Sequence, residues 1–101
     1  DADVIERRIR AFNPTPGVST ELGNDTFKLW RSEIHSYSRN VDEGGGTILE
    51  VNSAGIDVAC GSGVLRLTEL QRAGGKRLDV ADLLRGATDI QPGARFGKLA
   101  A

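Results

Sequence analysis

Apolar residues recur along this chain with two different periods, and the change of period divides it. In the opening stretch DADVIERRIRAF, Ile5, Ile9 and Phe12 fall at i, i+4 and i+7, one apolar stripe of a short N-terminal amphipathic helix. Asp3 can cap that helix with Glu6 three residues on, a variant of the capping box. Glu6 and Arg10 make an i,i+4 pair. NPTPG (13–17) then stops the helix, because Pro14 and Pro16 force the residues before them into extended conformations. From Val18 to Leu70 the alternation is that of an antiparallel sheet. VSTEL (18–22) predicts a short strand, Gly23-Asn24-Asp25 a turn, and TFKLWRSEIHSY (26–37) a strand of unusual length. Apolar parity slips inside it: Phe27 and Leu29 share one face, whereas Trp30 and Ile34 share the other. A bulge or sharp bend near Leu29 and Trp30 reconciles the two halves. NVDEGGG (40–46) reads as a flexible loop. TILEVN (47–52), GIDVAC (55–60) and GVLRLTEL (63–70) read as three more strands, joined by SAG and GSG turns.

Five strands, one of them long and bent, predict a mainly β fold: a small OB-like barrel, closed or nearly so. The 13 glycines fit the tight turns and bends that such a barrel needs. LDVADLLRG (78–86) predicts a second short helix near residues 79–85, with Asp79 as N-cap, Val80, Leu83 and Leu84 facing inward and Gly86 as the stop. PGARFGKLAA (92–101) reads as an irregular tail that frays at its end.

Composition narrows the class. At 101 residues, 39% hydrophobic and 27% charged, the chain is expected to be one soluble globular domain spanning 1–101. No apolar run approaches the roughly 20 residues that span a bilayer, so no membrane partner is expected and the cytoplasm is the default location. The chain starts at Asp1 and contains no methionine, which an excised domain explains more simply than an intact protein. Net charge is −1, too small for a global field that attracts nucleic acid. The distribution is less even: residues 1–50 carry 6 basic and 9 acidic side chains, and residues 51–101 carry 7 and 5. Arg66, Arg72, Lys76 and Arg77 stand close together with only Glu69 among them, and a local patch acts within a Debye length of about 8–10 Å.

Candidate catalytic groups fall away one by one. His35, the single histidine, sits in a predicted strand and reads as solvated or structurally bonded rather than as a general base. Cys60, the single cysteine, has no His partner nearby in sequence and no metal-ligand spacing, and reads as a small buried hydrophobe. Asp42 and Glu43 read as solvated turn residues. The stretch ELQRAGGKRL (69–78) invites a nucleotide-loop reading. However, Leu70, next to Glu69, stands where the Walker pattern needs its first glycine, and Arg77 replaces the hydroxyl residue that binds magnesium. Two readings of GGKR remain: a solvated polar turn, or a contact to a nucleic-acid backbone at the end of a barrel strand. The aromatics are Phe12, Phe27, Trp30, Tyr37 and Phe96, and Phe12 and Phe27 look like core. That is too few for base stacking as the main mode, so a folded RNA gripped by backbone and shape fits better.

RIRAFNPTPG (8–17), FKLWRSEI (27–34), GTILEVNSAGIDVACGSGVLRLTELQRAGGKR (46–77) and ADLLRG (81–86) together resemble the C-terminal domain of methionyl-tRNA formyltransferases, in order and over nearly the whole chain. The resemblance implies an OB-like barrel with flanking helices. It also implies a parent enzyme that moves a formyl group from 10-formyltetrahydrofolate to the methionine of initiator tRNA. In that family the folate site and the catalytic residues lie in a separate N-terminal Rossmann-like domain, so it implies no catalytic residue, metal or cofactor in this chain. The implied partners are initiator tRNA and that N-terminal domain. Carried over by position, the implied tRNA-binding residues are Lys28, Arg31, Lys76 and Arg77. Arg10 is read as structural, and Arg66 and Arg72 as supporting charge. Thr15 departs from the family, which commonly has tryptophan there, and this bears on how the first loop packs. The alternative is a scaffold domain of a related sugar-nucleotide or folate formyltransferase, with no nucleic-acid role.

Overall fold

Alternating side chains need a sheet with one dry face, and the chain builds one. The computed structural model describes residues 2–14, 17–39, 45–60, 62–86 and 89–97. Their elements are α1 (Ala2–Phe12), β1 (Val18–Leu22), β2 (Asp25–Arg39), β3 (Ile48–Asn52), β4 (Gly55–Ala59), β5 (Ser62–Arg72), β6 (Arg77–Asp79) and α2 (Val80–Leu83). Every pairing is antiparallel, in the order β1-β2-β5-β4-β3, with β6 also on β5. β2 runs along the whole of β5, so β4 and β6 share the opposite edge: β4 pairs with residues 64–67 and β6 with residues 69–71. The dry face carries Val18, Leu22, Phe27, Leu29, Ile56, Leu65, Leu67 and Leu70, all buried.

The expected bulge is present. Leu29 pairs with Leu70 and Arg31 with Glu69, so Trp30 is the extra residue on β2. One extra residue reverses parity, which lets Ile34 pack on the same core as Phe27 and Leu29 while Trp30 stays on the outer face.

One expectation is corrected and two are filled in. The sheet has six strands, not five, because Arg77–Asp79 forms β6 where the sequence reads as loop and helix start. The pairings also run as an open path: among the described residues β1 and β3 do not pair. The C-terminal segment occupies the interval instead. On one side the Gly97 amide donates to Glu21 O at 2.8 Å, and Thr20 Oγ1 donates to Gly97 O at 2.8 Å. On the other, the Phe96 amide donates to Gly46 O at 2.9 Å, and the Ile48 amide to Ala94 O at 2.8 Å. Far from loose, this tail buries Ile90 and Phe96. The ring of Phe96 meets Phe27 edge to face, centroids 6.4 Å apart. Gly46 makes the approach feasible: its φ is +99°, and a Cβ there would overlap Phe96 O. The expected fraying concerns residues 98–101, outside the described set.

The helices also depart in detail. α1 already includes Ala2, so Asp3 lies in its first turn and is not its cap. Ala2 and Ile9 are buried, but Phe12 is 37% exposed and is not core. The helix ends there, and Asn13 turns toward β2 in its place, its amide donating to Ile9 O at 2.8 Å and Trp30 O at 2.9 Å. α2 is shorter than expected, four residues with Val80 and Leu83 buried. Asp79 precedes it in extended conformation without a side-chain cap bond, being also the last residue of β6. Thr15, Asp42 and Glu43 lie outside the described residues. No described helix is long and apolar enough to cross a membrane.

Candidate nucleic-acid interface

On the outer face, β2, β5 and β6 place Lys28, Gln71 and Arg77 in one cross-strand row. The bulge turns the indole of Trp30 into this row. Lys28 Nζ lies 4.1 Å from its ring centroid and Arg77 Cζ 4.3 Å, both within cation–π range. The indole is itself held: Nε1 donates to Gln71 Oε1 at 2.9 Å, and Gln71 Nε2 donates to Gly75 O at 3.0 Å. A single relay thus joins the bulge of β2 to the turn before β6.

Each flanking cation is anchored by one donor. Lys28 Nζ donates to Pro14 O at 2.7 Å, leaving two of its three N–H groups uncommitted to that bond. Arg77 Nε donates to the Glu69 carboxylate, which leaves its two terminal nitrogens uncommitted to that bond. Arg31 and Lys76 are exposed, and among the described residues neither has an ion pair. Arg31 stands just past the bulge, in the row with Glu69 and Asp79. Lys76 follows the turn at Gly74 and Gly75, where the Gly75 amide donates to Arg72 O at 2.8 Å. The structure therefore brings Lys28 and Arg77 together on one ring and sets Arg31 and Lys76 at its margins.

Arg10, Arg66 and Arg72 are paired with acids. Arg66 makes a two-point bond to buried Asp57, Nε to Oδ1 at 2.7 Å and Nη2 to Oδ2 at 3.1 Å. The hydrogen bond to Asp57 raises the Arg66 pKa, against the lowering effect of desolvation. Arg72 binds Asp25 and Asp89 and covers the Phe27 ring; the Asp89 hydrogen bond is the main reason its pKa is raised. Arg10 pairs with Glu6 at 2.5 Å, and that bond raises its pKa. Arg66 and Arg72, like Arg77, each pair with an acid, and they stand outside the row of Lys28, Gln71 and Arg77.

His35 is exposed beside the Asp57–Arg66 pair, its Nε2 3.8 Å from Asp57 Oδ2. Cys60 is half-buried against the core, its thiol donating to Val58 O at 3.4 Å. Trp30 and Gln71 are the members of the cluster that sequence reasoning missed. The available signal was the i,i+2 spacing of Lys28 and Trp30, which places both on one strand face.

A protein-family model described as formyl transferase, C-terminal domain, matches residues 1–88. The chain belongs to that family. Proteins named methionyl-tRNA formyltransferase are similar to it over 95% of its length: 56% identical in Acidovorax ebreus, 51% in Variovorax paradoxus and 50% in Paracidovorax citrulli. The chain spans about 30% of the length of each of these relatives. In this formyl transferase C-terminal domain the outer-face cluster offers cationic N–H donors around a fixed aromatic ring. That chemistry suits the oxygens of a phosphate backbone.

Proposed function

We propose that residues 1–101 form a single accessory domain of a cytoplasmic methionyl-tRNA formyltransferase, and that it binds and positions initiator methionyl-tRNA. The acceptor methionine is formylated elsewhere, in an N-terminal catalytic domain of the same chain that also takes the 10-formyltetrahydrofolate. Lys28, Arg31, Lys76 and Arg77 contact tRNA phosphates in this reading. The observation that carries it is the pairing of Lys28 and Arg77 on the Trp30 ring on the outer face, with exposed Arg31 and Lys76 on the adjoining β2 position and the turn before β6. The names of the relatives supply the ligand.

The test is titration of initiator tRNA into the full-length protein carrying this chain, across a salt series. Lys76→Glu and Arg77→Glu are each expected to weaken binding and to lower the salt slope by roughly 0.7–0.9 per lost contact. Unchanged affinity and slope in both variants would remove these residues from the interface. Formylation of a sugar nucleotide or a folate without tRNA binding would instead favour the scaffold role.

A further inference from the structure

The four cations differ in how they are held, and the difference traces to one side chain. We infer that Trp30 is the positioning residue of the phosphate clamp. Its ring fixes Lys28 and Arg77 as a pair, and through Gln71 it fixes the turn that carries Lys76. The inference rests on the tRNA-binding reading above and adds the device that makes the clamp rigid.

The argument begins with the cost of order. Lysine and arginine side chains are long, and holding them still for a ligand costs about 0.5–1.5 kcal/mol each when nothing holds them beforehand. Here Lys28 and Arg77 lie 4.1 and 4.3 Å from the centroid of one indole. The indole cannot turn freely, because Nε1 is bonded to Gln71 Oε1 at 2.9 Å. Gln71 in turn holds Gly75 O at 3.0 Å, one residue before Lys76. Asn13 secures the same bulge from behind, donating to Trp30 O at 2.9 Å and Leu29 O at 3.2 Å. Two charges, each with one further anchor in Pro14 O or Glu69, and a turn between β5 and β6 therefore share one aromatic ring before any ligand arrives. A ring whose neighbourhood holds two cations is poorly placed to stack on a base, so positioning is the role that fits.

The experiment measures initiator tRNA binding to the full-length protein over a salt series with Trp30→Leu, Trp30→Phe and Gln71→Leu, each checked by thermal melting. Trp30→Leu removes the π face and is expected to weaken binding about tenfold, the cost of ordering two side chains no longer held beforehand. Its salt slope should fall by up to roughly 1.5, the worth of two phosphate contacts. Trp30→Phe keeps a π face and should retain most of the slope. Gln71→Leu cuts the tie to the turn at a half-buried position on the outer face and should give an intermediate loss, which carries the test if Trp30→Leu does not fold. A merely structural tryptophan would lower the melting temperature and leave the slope alone. The inference is overturned if folded Trp30→Leu or Gln71→Leu binds with wild-type affinity and slope while Lys76→Glu and Arg77→Glu weaken binding. If those charge reversals are also silent, the clamp is lost and the inference with it.

Discussion

Lys28 reaches the Trp30 ring across the face of Gly17. Gly17 has φ of +83°, and a Cβ there would overlap Cε of Lys28. Two physical terms therefore oppose any side chain at this position: a left-handed backbone, and a collision with the end of the Lys28 side chain, which would have to shift. Gly17→Ala is expected to cost about 1–2 kcal/mol from the backbone term, read as a shift of the urea midpoint. It should also push Lys28 from the ring and from Pro14 O, so tRNA affinity should fall even where the protein remains folded. Wild-type stability with wild-type affinity would show that the loop accommodates the methyl and that Lys28 is not held as described.

At the scale of elements, the segment 89–97 is a structural strap, not a tail. It hydrogen-bonds Glu21 in β1 and Gly46 and Ile48 at the start of β3, and it adds Ile90 and Phe96 to the core. Phe96→Ala would open a cavity beside Phe27, and large-to-small changes of this kind cost about 3–5 kcal/mol. The expected outcome is a loss of at least about 3 kcal/mol in guanidinium unfolding; a loss below about 1 kcal/mol would mean the strap is dispensable. The sequence made some of this visible and hid the rest for identifiable reasons. The bulge at Trp30 was legible because a parity slip between Leu29 and Ile34 has no other cheap explanation. β6 was not, since Arg-Leu-Asp is too short to show a period. Nor was the strap, whose bonds reach 77 residues back, from Gly97 to Thr20. The site divides the same way. Its cations could be read directly, but which of them were already paired could not, because Arg72 finds one acid 47 residues away and another 17 residues on.

For the molecule as a whole, the balance of charge sets what kind of binding is attainable. With 13 basic and 14 acidic side chains there is no net field to draw in an RNA, and at a Debye length of about 8 Å the acidic remainder is screened from a ligand on the outer face. If the cations around Trp30 carry the binding proposed for this domain, its salt dependence should count them. Four contacts at roughly 0.7–0.9 each give a double-logarithmic slope of roughly 3 to 3.5. The difference between the slope of the full-length protein and that of a form carrying Glu at positions 28, 31, 76 and 77 isolates this share, whatever the N-terminal domain contributes. A difference near 3 is expected. A difference below about 1 would mean that the cluster is a folded, solvated surface. One well above 4 would mean that RNA also displaces acids from Arg66 or Arg72, and that the neutralised arginines join the interface after all.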